Sequence, residues 1–196
     1  QHAVTIVHAT GQQQALPQHL EQMIIAKAQG NPFFLEELTR AVIEHADPEA
    51  ALDVPDTIQG VLSARIDRLP EEYKRLLQTA AVLGREFAPA LLQAMWEGSS
   101  PVEAVLLELK RWEFLYDRPG IEEPTYIFKH ALTQEVAYDS LLTTRRQRLH
   151  AAAGHAMERL YAEGLAEHSE ELAHHLTLGE VWEKAFDYLT KSGDKA

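Results

Sequence analysis

The chain has 196 residues, 45% of them hydrophobic and 24% charged, with a formal net charge of −12 and no cysteine. Such a hydrophobic share supports a packed core and argues against disorder, while the acidic balance argues against a broad nucleic-acid or anionic-membrane footprint, which needs clustered Lys and Arg. The missing cysteine removes disulfides, thiol catalysis and cysteine-based zinc sites and fits a reducing cytoplasm; no apolar run approaches the roughly 20 residues that span a bilayer, and no signal-peptide pattern is visible.

Val4-Thr5-Ile6-Val7 is a short β-branched run that reads as a lone or edge strand of a larger sheet, followed by the polar Gln12-Gln13-Gln14. From Pro17 the apolar positions Leu20, Ile24 and Ala28 fall four apart, with Met23 beside them, which predicts a helix ended by Gly30. Asn31 is placed to cap the next helix, and Pro32 sits in its first turn, where a missing N–H costs nothing. Leu35, Leu38 and Val42 form its apolar stripe, and Asp47-Pro48 ends it. Residues 48–55 are rich in Ala, Asp and Pro and predict a boundary. Asp56 or Thr57 then caps a helix carrying Ile58, Val61, Leu62, Ile66 and Leu69. Glu71-Glu72 open another, with Leu76, Leu77, Ala80 and Ala81 as its buried face and Gly84 at its end. A shorter helix covers about 88–95. Gly98-Ser99-Ser100-Pro101 is expected to cap a further one, whose apolar face is Val102, Val105, Leu106, Leu109 and Trp112.

There the period changes. Phe114-Leu115-Tyr116 and Thr125-Tyr126-Ile127-Phe128 flank the turn sequence Asp117-Arg118-Pro119-Gly120, and His130 follows the second strand. Three helices and a hairpin make the order of a winged helix-turn-helix. Helical pattern then runs to the end, with breaks near Thr143, Gly164 and Gly179. Leu172-Ala173, Leu176, Ala185, Leu189 and Ser192 carry spacings of one tetratricopeptide-type helix pair; a single pair cannot bury both its faces, so further repeats are expected beyond it. The expected fold is therefore mainly α: residues 1–15 a sheet remnant or linker, 16–47 a helical segment, 56–142 a winged-helix domain, and 143–196 a helical linker with a first repeat.

Catalytic signatures are missing. The sequence has no Gly-x-x-x-x-Gly-Lys-Ser/Thr, no Gly-x-Gly-x-x-Gly and no Gly-x-Ser-x-Gly. The acidic doublets Glu36-Glu37, Glu71-Glu72, Glu122-Glu123 and Glu170-Glu171 are adjacent in sequence, so on helices they point apart and suit solvated faces or helix starts better than acid/base pairs. His168, Glu171 and His175 share a helical face, which fits a partial metal site or surface histidines of a repeat helix. We expect no catalytic residue and no metal site. Arg145, Arg146 and Arg148 form the one tight basic cluster, suited to capping and packing or to gripping phosphate. A DNA-reading helix over 102–112 would present Glu103, Glu108 and Glu113 beside Lys110 and Arg111, and acids facing phosphates repel.

The stretch Gly30-Asn31-Pro32-Phe33-Phe34-Leu35-Glu36-Glu37-Leu38 resembles the helical lid of STAND-type P-loop ATPases, the signalling branch of the AAA+ class. The likeness continues through Val54-Pro55-Asp56-Thr57-Ile58, Arg65-Ile66-Asp67-Arg68-Leu69-Pro70, Ala80 to Phe87, Phe128 to Leu132, Glu135 to Tyr138 and Arg146 to His150, in the family's order; residues 1–15 match poorly. Bacterial members sit beside adenylate/guanylate cyclase domains, protein kinases or helix-turn-helix transcriptional regulators. The resemblance implies a nucleotide-binding role for Gly30, Asn31 and Pro32, with proline against the base, and for His130, reaching the β-phosphate of ADP in the resting state. It implies ATP or ADP with Mg in a parent protein, an upstream P-loop domain and downstream repeats as partners, an effector domain, and a cytoplasmic setting. The chain lacks the P-loop core and starts at Gln1 rather than Met, so it reads as an excised piece that is no enzyme by itself. The competing expectation is a helical interaction module for which nucleotide is irrelevant.

Overall fold

The computed structural model describes residues 2–10, 16–43, 55–118 and 125–193. Among them the chain is mainly helical, with eleven helices and one small three-stranded sheet. It divides into two compact units, Gln1–Arg68 and Leu69–Ala196. The boundary expected in residues 48–55 falls mostly outside the described residues.

The first unit holds α1 (His2–Thr10), α2 (Gln18–Ala28), α3 (Pro32–Ile43) and α4 (Ile58–Asp67). The strand expected at 4–7 is instead part of α1. Tertiary packing overrides the β-branched run here: Val7 is buried, and Ala3 and Ile6 lean on the same core, a spacing of three and four that only a helix turns to one side. That core is filled by Leu20 and Ile24 from α2, Leu35, Leu38 and Val42 from α3, and Val61 from α4. Asn31 caps α3 as expected, its Oδ1 accepting from the backbone N–H of Phe33 at 3.0 Å and of Phe34 at 3.2 Å. Thr57 caps α4, its hydroxyl oxygen accepting from Gly60 N at 3.1 Å. Between α3 and α4 lies a buried ion pair, Arg65 Nη1 donating to Glu37 Oε2 at 2.5 Å.

The second unit opens with α5 (Glu71–Leu83), β1 (Glu86–Phe87), α6 (Pro89–Met95), α7 (Val102–Arg111), β2 (Leu115–Arg118) and β3 (Thr125–Phe128). The sheet order is β1-β3-β2, both pairs antiparallel, with Phe87 opposite Tyr126 and Tyr116 opposite Ile127. Sheet and helices enclose Leu76, Leu77, Leu92, Leu106, Leu109, Phe114 and Phe128, all 1% exposed or less. Ser99 and Ser100 do not cap α7, which starts behind Pro101. Their backbone N–H groups and hydroxyls donate instead to the Glu72 carboxylate, at 2.5–3.1 Å. The Ser100 hydroxyl bond is the largest cause holding Glu72 down to a pKa of about 2. Four further helices follow: α8 (Ala131–Asp139), α9 (Thr143–Leu160), α10 (Ser169–Leu178) and α11 (Trp182–Gly193). A Cβ on Gly154 would meet Leu176 Cδ2 at 2.5 Å, and one on Gly179 would meet Ala151 N at 2.5 Å, so two glycines seat α10 against α9.

Candidate functional site

The turn between α2 and α3 is built by backbone conformation. Gln29 (φ 48°) and Gly30 (φ 82°) are both left-handed, and Asn31 N returns to Ala28 O at 2.9 Å. A left-handed residue lets the chain reverse within one step, and glycine takes it without the Cβ penalty. Gln29, Gly30, Asn31 and Pro32 are all exposed. The Asn31 carboxamide oxygen is committed to the α3 cap. What the turn can offer a ligand is the Pro32 ring edge and the open face of Gly30, where an added Cβ would meet nothing within 4 Å.

His130 lies in the second unit, at the N-cap position of α8. Its backbone is extended (φ −131°, ψ 139°), and its carbonyl accepts from Thr133 N at 3.0 Å, while its imidazole makes no cap hydrogen bond. The residue is half-buried and its Nε2 is shielded from solvent. Neither unit contains both the 30–32 turn and His130.

The helix over 102–111 presents no free basic surface for nucleic acid. Lys110 pairs with Asp117 at 2.8 Å and Arg111 with Glu108 at 2.6 Å, while Glu103 stays exposed. Of the Arg145, Arg146 and Arg148 cluster, Arg146 goes into packing: its guanidinium lies over the Tyr138 ring at 4.2 Å, reaches Leu141 O at 3.3 Å and pairs with Asp139 at 3.7 Å, while Arg148 is exposed.

The acidic-and-histidine trio on α10 does not converge. His168 stacks on Tyr161 with ring centroids 4.1 Å apart, and its Nδ1 is 3.8 Å from Glu171. His175 is 2% exposed and turns toward α9, where its Nδ1 is 2.9 Å from Nδ1 of the equally buried His150. On the far side of that ring, His150 Nε2 is 3.0 Å from the Tyr138 hydroxyl. Burial is the main reason both imidazoles resist protonation, His150 down to about 4 and His175 down to about 3. Among the described residues no three His, Asp or Glu side chains are placed to hold a metal ion. Sequence reasoning missed this pair. Its one signal was that His175 shares the α10 stripe of Leu172 and Leu176, which faces inward.

Past the pair, α11 carries an apolar strip to solvent. Trp182, Phe186 and Leu189 are 63%, 70% and 53% exposed and border a groove with Thr177 of α10. Among the described residues no helix is long and apolar enough to cross a membrane. Compared with models of known protein families and with curated proteins, the sequence matches none.

Proposed function

We propose that this chain is the lid, winged-helix and first-repeat region of a STAND-type nucleotide switch, relaying the ATP or ADP state of an upstream P-loop domain to an effector. The carrying observation is the sheet. A strand between the first two helices of the unit, β1, joins the outer edge of a later hairpin, giving β1-β3-β2, and this is how a winged helix closes on its own helices. The α10–α11 hairpin supports the repeat reading, since its exposed Trp182, Phe186 and Leu189 form the unfilled face that a following repeat would cover.

In this reading the 30–32 turn and His130 are the nucleotide-sensing parts. Pro32 offers a rigid apolar edge to a base, and His130, at the start of α8, donates to a phosphate once its ring turns outward. Such a switch works because nucleotide contacts favour one state of the protein over another. The chain alone catalyses nothing. In the protein that joins it to a P-loop domain, His130→Ala should speed ADP release by about tenfold, the loss of roughly one charge-assisted hydrogen bond. Stopped-flow release of a fluorescent ADP checks it, and an unchanged rate removes His130 from the mechanism.

The exposed α11 strip favours a second reading as well, a helical interaction module indifferent to nucleotide. An ADP titration of the same joined protein separates the two, because the module predicts no ADP-dependent change in effector output.

A further inference from the structure

We propose that the α9–α10 junction is a proton-operated latch: the buried His150–His175 pair holds the α10–α11 hairpin on α9 while both rings are neutral, and protonation of the pair releases it. The inference is independent of nucleotide and of the family reading.

The geometry leaves room for one proton between the two Nδ1 atoms, 2.9 Å apart. Either ring can donate across that gap, and the Tyr138 hydroxyl, 3.0 Å from His150 Nε2, adapts to either tautomer by donating or accepting. A further proton converts one ring to a cation inside the junction. Its surroundings do not receive a cation. The groups facing the pair are the phenol of Tyr138 from α8, the Arg146 guanidinium from α9 and the His174 imidazole from α10. None is a carboxylate; Asp139 of α8 pairs with Arg146 at 3.7 Å but is largely exposed, and the charges that act on the two rings are those of Arg146 and the neighbouring imidazoles. Arg146 is fixed over the Tyr138 ring at 4.2 Å, so the standing positive charge cannot swing away cheaply. A cation at His150 or His175 is therefore desolvated and repelled at once.

The junction responds by parting rather than by bending. Helix α10 sits against α9 at contact distance beside the histidines, through Gly154 under Leu176 and Gly179 against the Ala151 backbone. Packing that close has no slack in which a charged, hydrated ring could be accommodated. The sign follows from linkage. Both rings titrate below the ordinary value of 6.5 when docked, so the stability they carry is complete above about pH 6.5 and is lost as pH falls toward about 4 for His150 and about 3 for His175.

The test uses the whole chain. Histidine ring signals followed by NMR should show two imidazoles that stay neutral down to pH 5 and disappear from the docked state below it. Hydrogen exchange, corrected for its intrinsic pH dependence, should show the opening constant of α10 rising about tenfold per pH unit for each buried ring between about pH 6 and 4, while α5 in the same unit keeps its protection. His174→Gln, on the exposed neighbour, should leave this response intact, and His150→Phe with His175→Leu should flatten it. Titration of either buried ring at pH 6 or above in the folded chain overturns the latch. So does equal loss of protection in α5 and α10, which is global unfolding. If the double variant does not fold, the ring titration of the natural chain still decides.

Discussion

Each compact unit buries a polar pair between two helices, and these two pairs solve that problem in opposite ways. In the first, Glu37 on α3 meets Arg65 on α4, each 1% exposed, as a full ion pair. In the second, His150 on α9 meets His175 on α10, each 2% exposed, as two uncharged rings. An ion pair carries a heavy desolvation cost offset by its own attraction, so it is safe only while both partners remain. A neutral imidazole pair is cheaper to bury and keeps its hydrogen bond, but a single proton turns it into the unsupported charge that the ion pair avoids. The first arrangement fixes which helix faces which. The second makes the contact conditional on the medium.

That contrast can be broken most severely in the first unit. Glu37→Gln leaves the Arg65 cation buried with a neutral amide, and should cost about 3–5 kcal/mol, read as lost hydrogen-exchange protection in α3 and α4. The paired replacement Glu37→Leu with Arg65→Met should recover most of that loss. If Glu37→Gln costs under about 1 kcal/mol, the ion pair is screened as a surface pair would be, and the comparison fails. In the second unit Gly154→Ala sharpens it without touching a proton: the new Cβ strikes Leu176, and overpacking of this kind costs about 1–3 kcal/mol. Urea denaturation of α10 should then weaken equally at pH 7 and pH 5, which distinguishes poor fit from charge. The smallest expected effect is Asn31→Ala, which removes the α3 cap at about 1 kcal/mol; faster exchange of the Phe33 and Phe34 amides, with α4 unchanged, would mark it as local.

Much of the helical layout was legible because apolar residues recur at helical spacing with caps at their starts: Asn31 before α3, Thr57 before α4 and Gly84 after α5 all act where the sequence puts them. The two hairpin strands were legible too, from their alternating aromatics, but Asp117 and Arg118, expected in the turn, extend β2 and pair with Tyr126 and Thr125, and Pro119-Gly120 lies outside the described residues. The run at 4–7 misled because β-branched residues favour strands only when no helix partner claims them, and α3 claims Val7. Gly179 ends α10 as expected, standing at its C-cap, but the left-handed step falls one residue later, at Glu180 (φ 58°), and Gly179 also serves close packing against Ala151. The histidine pair was hidden for a different reason. Its partners are far apart in sequence, and a histidine on an apolar stripe has the same spelling as one on a wet surface. The proposed nucleotide residues divide likewise: the 30–32 turn follows from local grammar, whereas nothing local says what His130 faces.

The order of the sheet also bears on how the second unit assembles. The β2–β3 hairpin closes from neighbours in sequence, but β1 reaches β3 only across the whole of α6 and α7, with Glu86 opposite Ile127 and Phe128 N donating to Arg85 O at 2.9 Å. The hairpin and helices can therefore form early from nearby contacts, while the β1 edge carries the loop-closure entropy of everything between. During synthesis the strand emerges well before its partner does. For that interval the Phe87 side chain, later buried against Phe128 and Tyr126, has no mate, and the step that seats it is the one on which the unit's folding rate should depend.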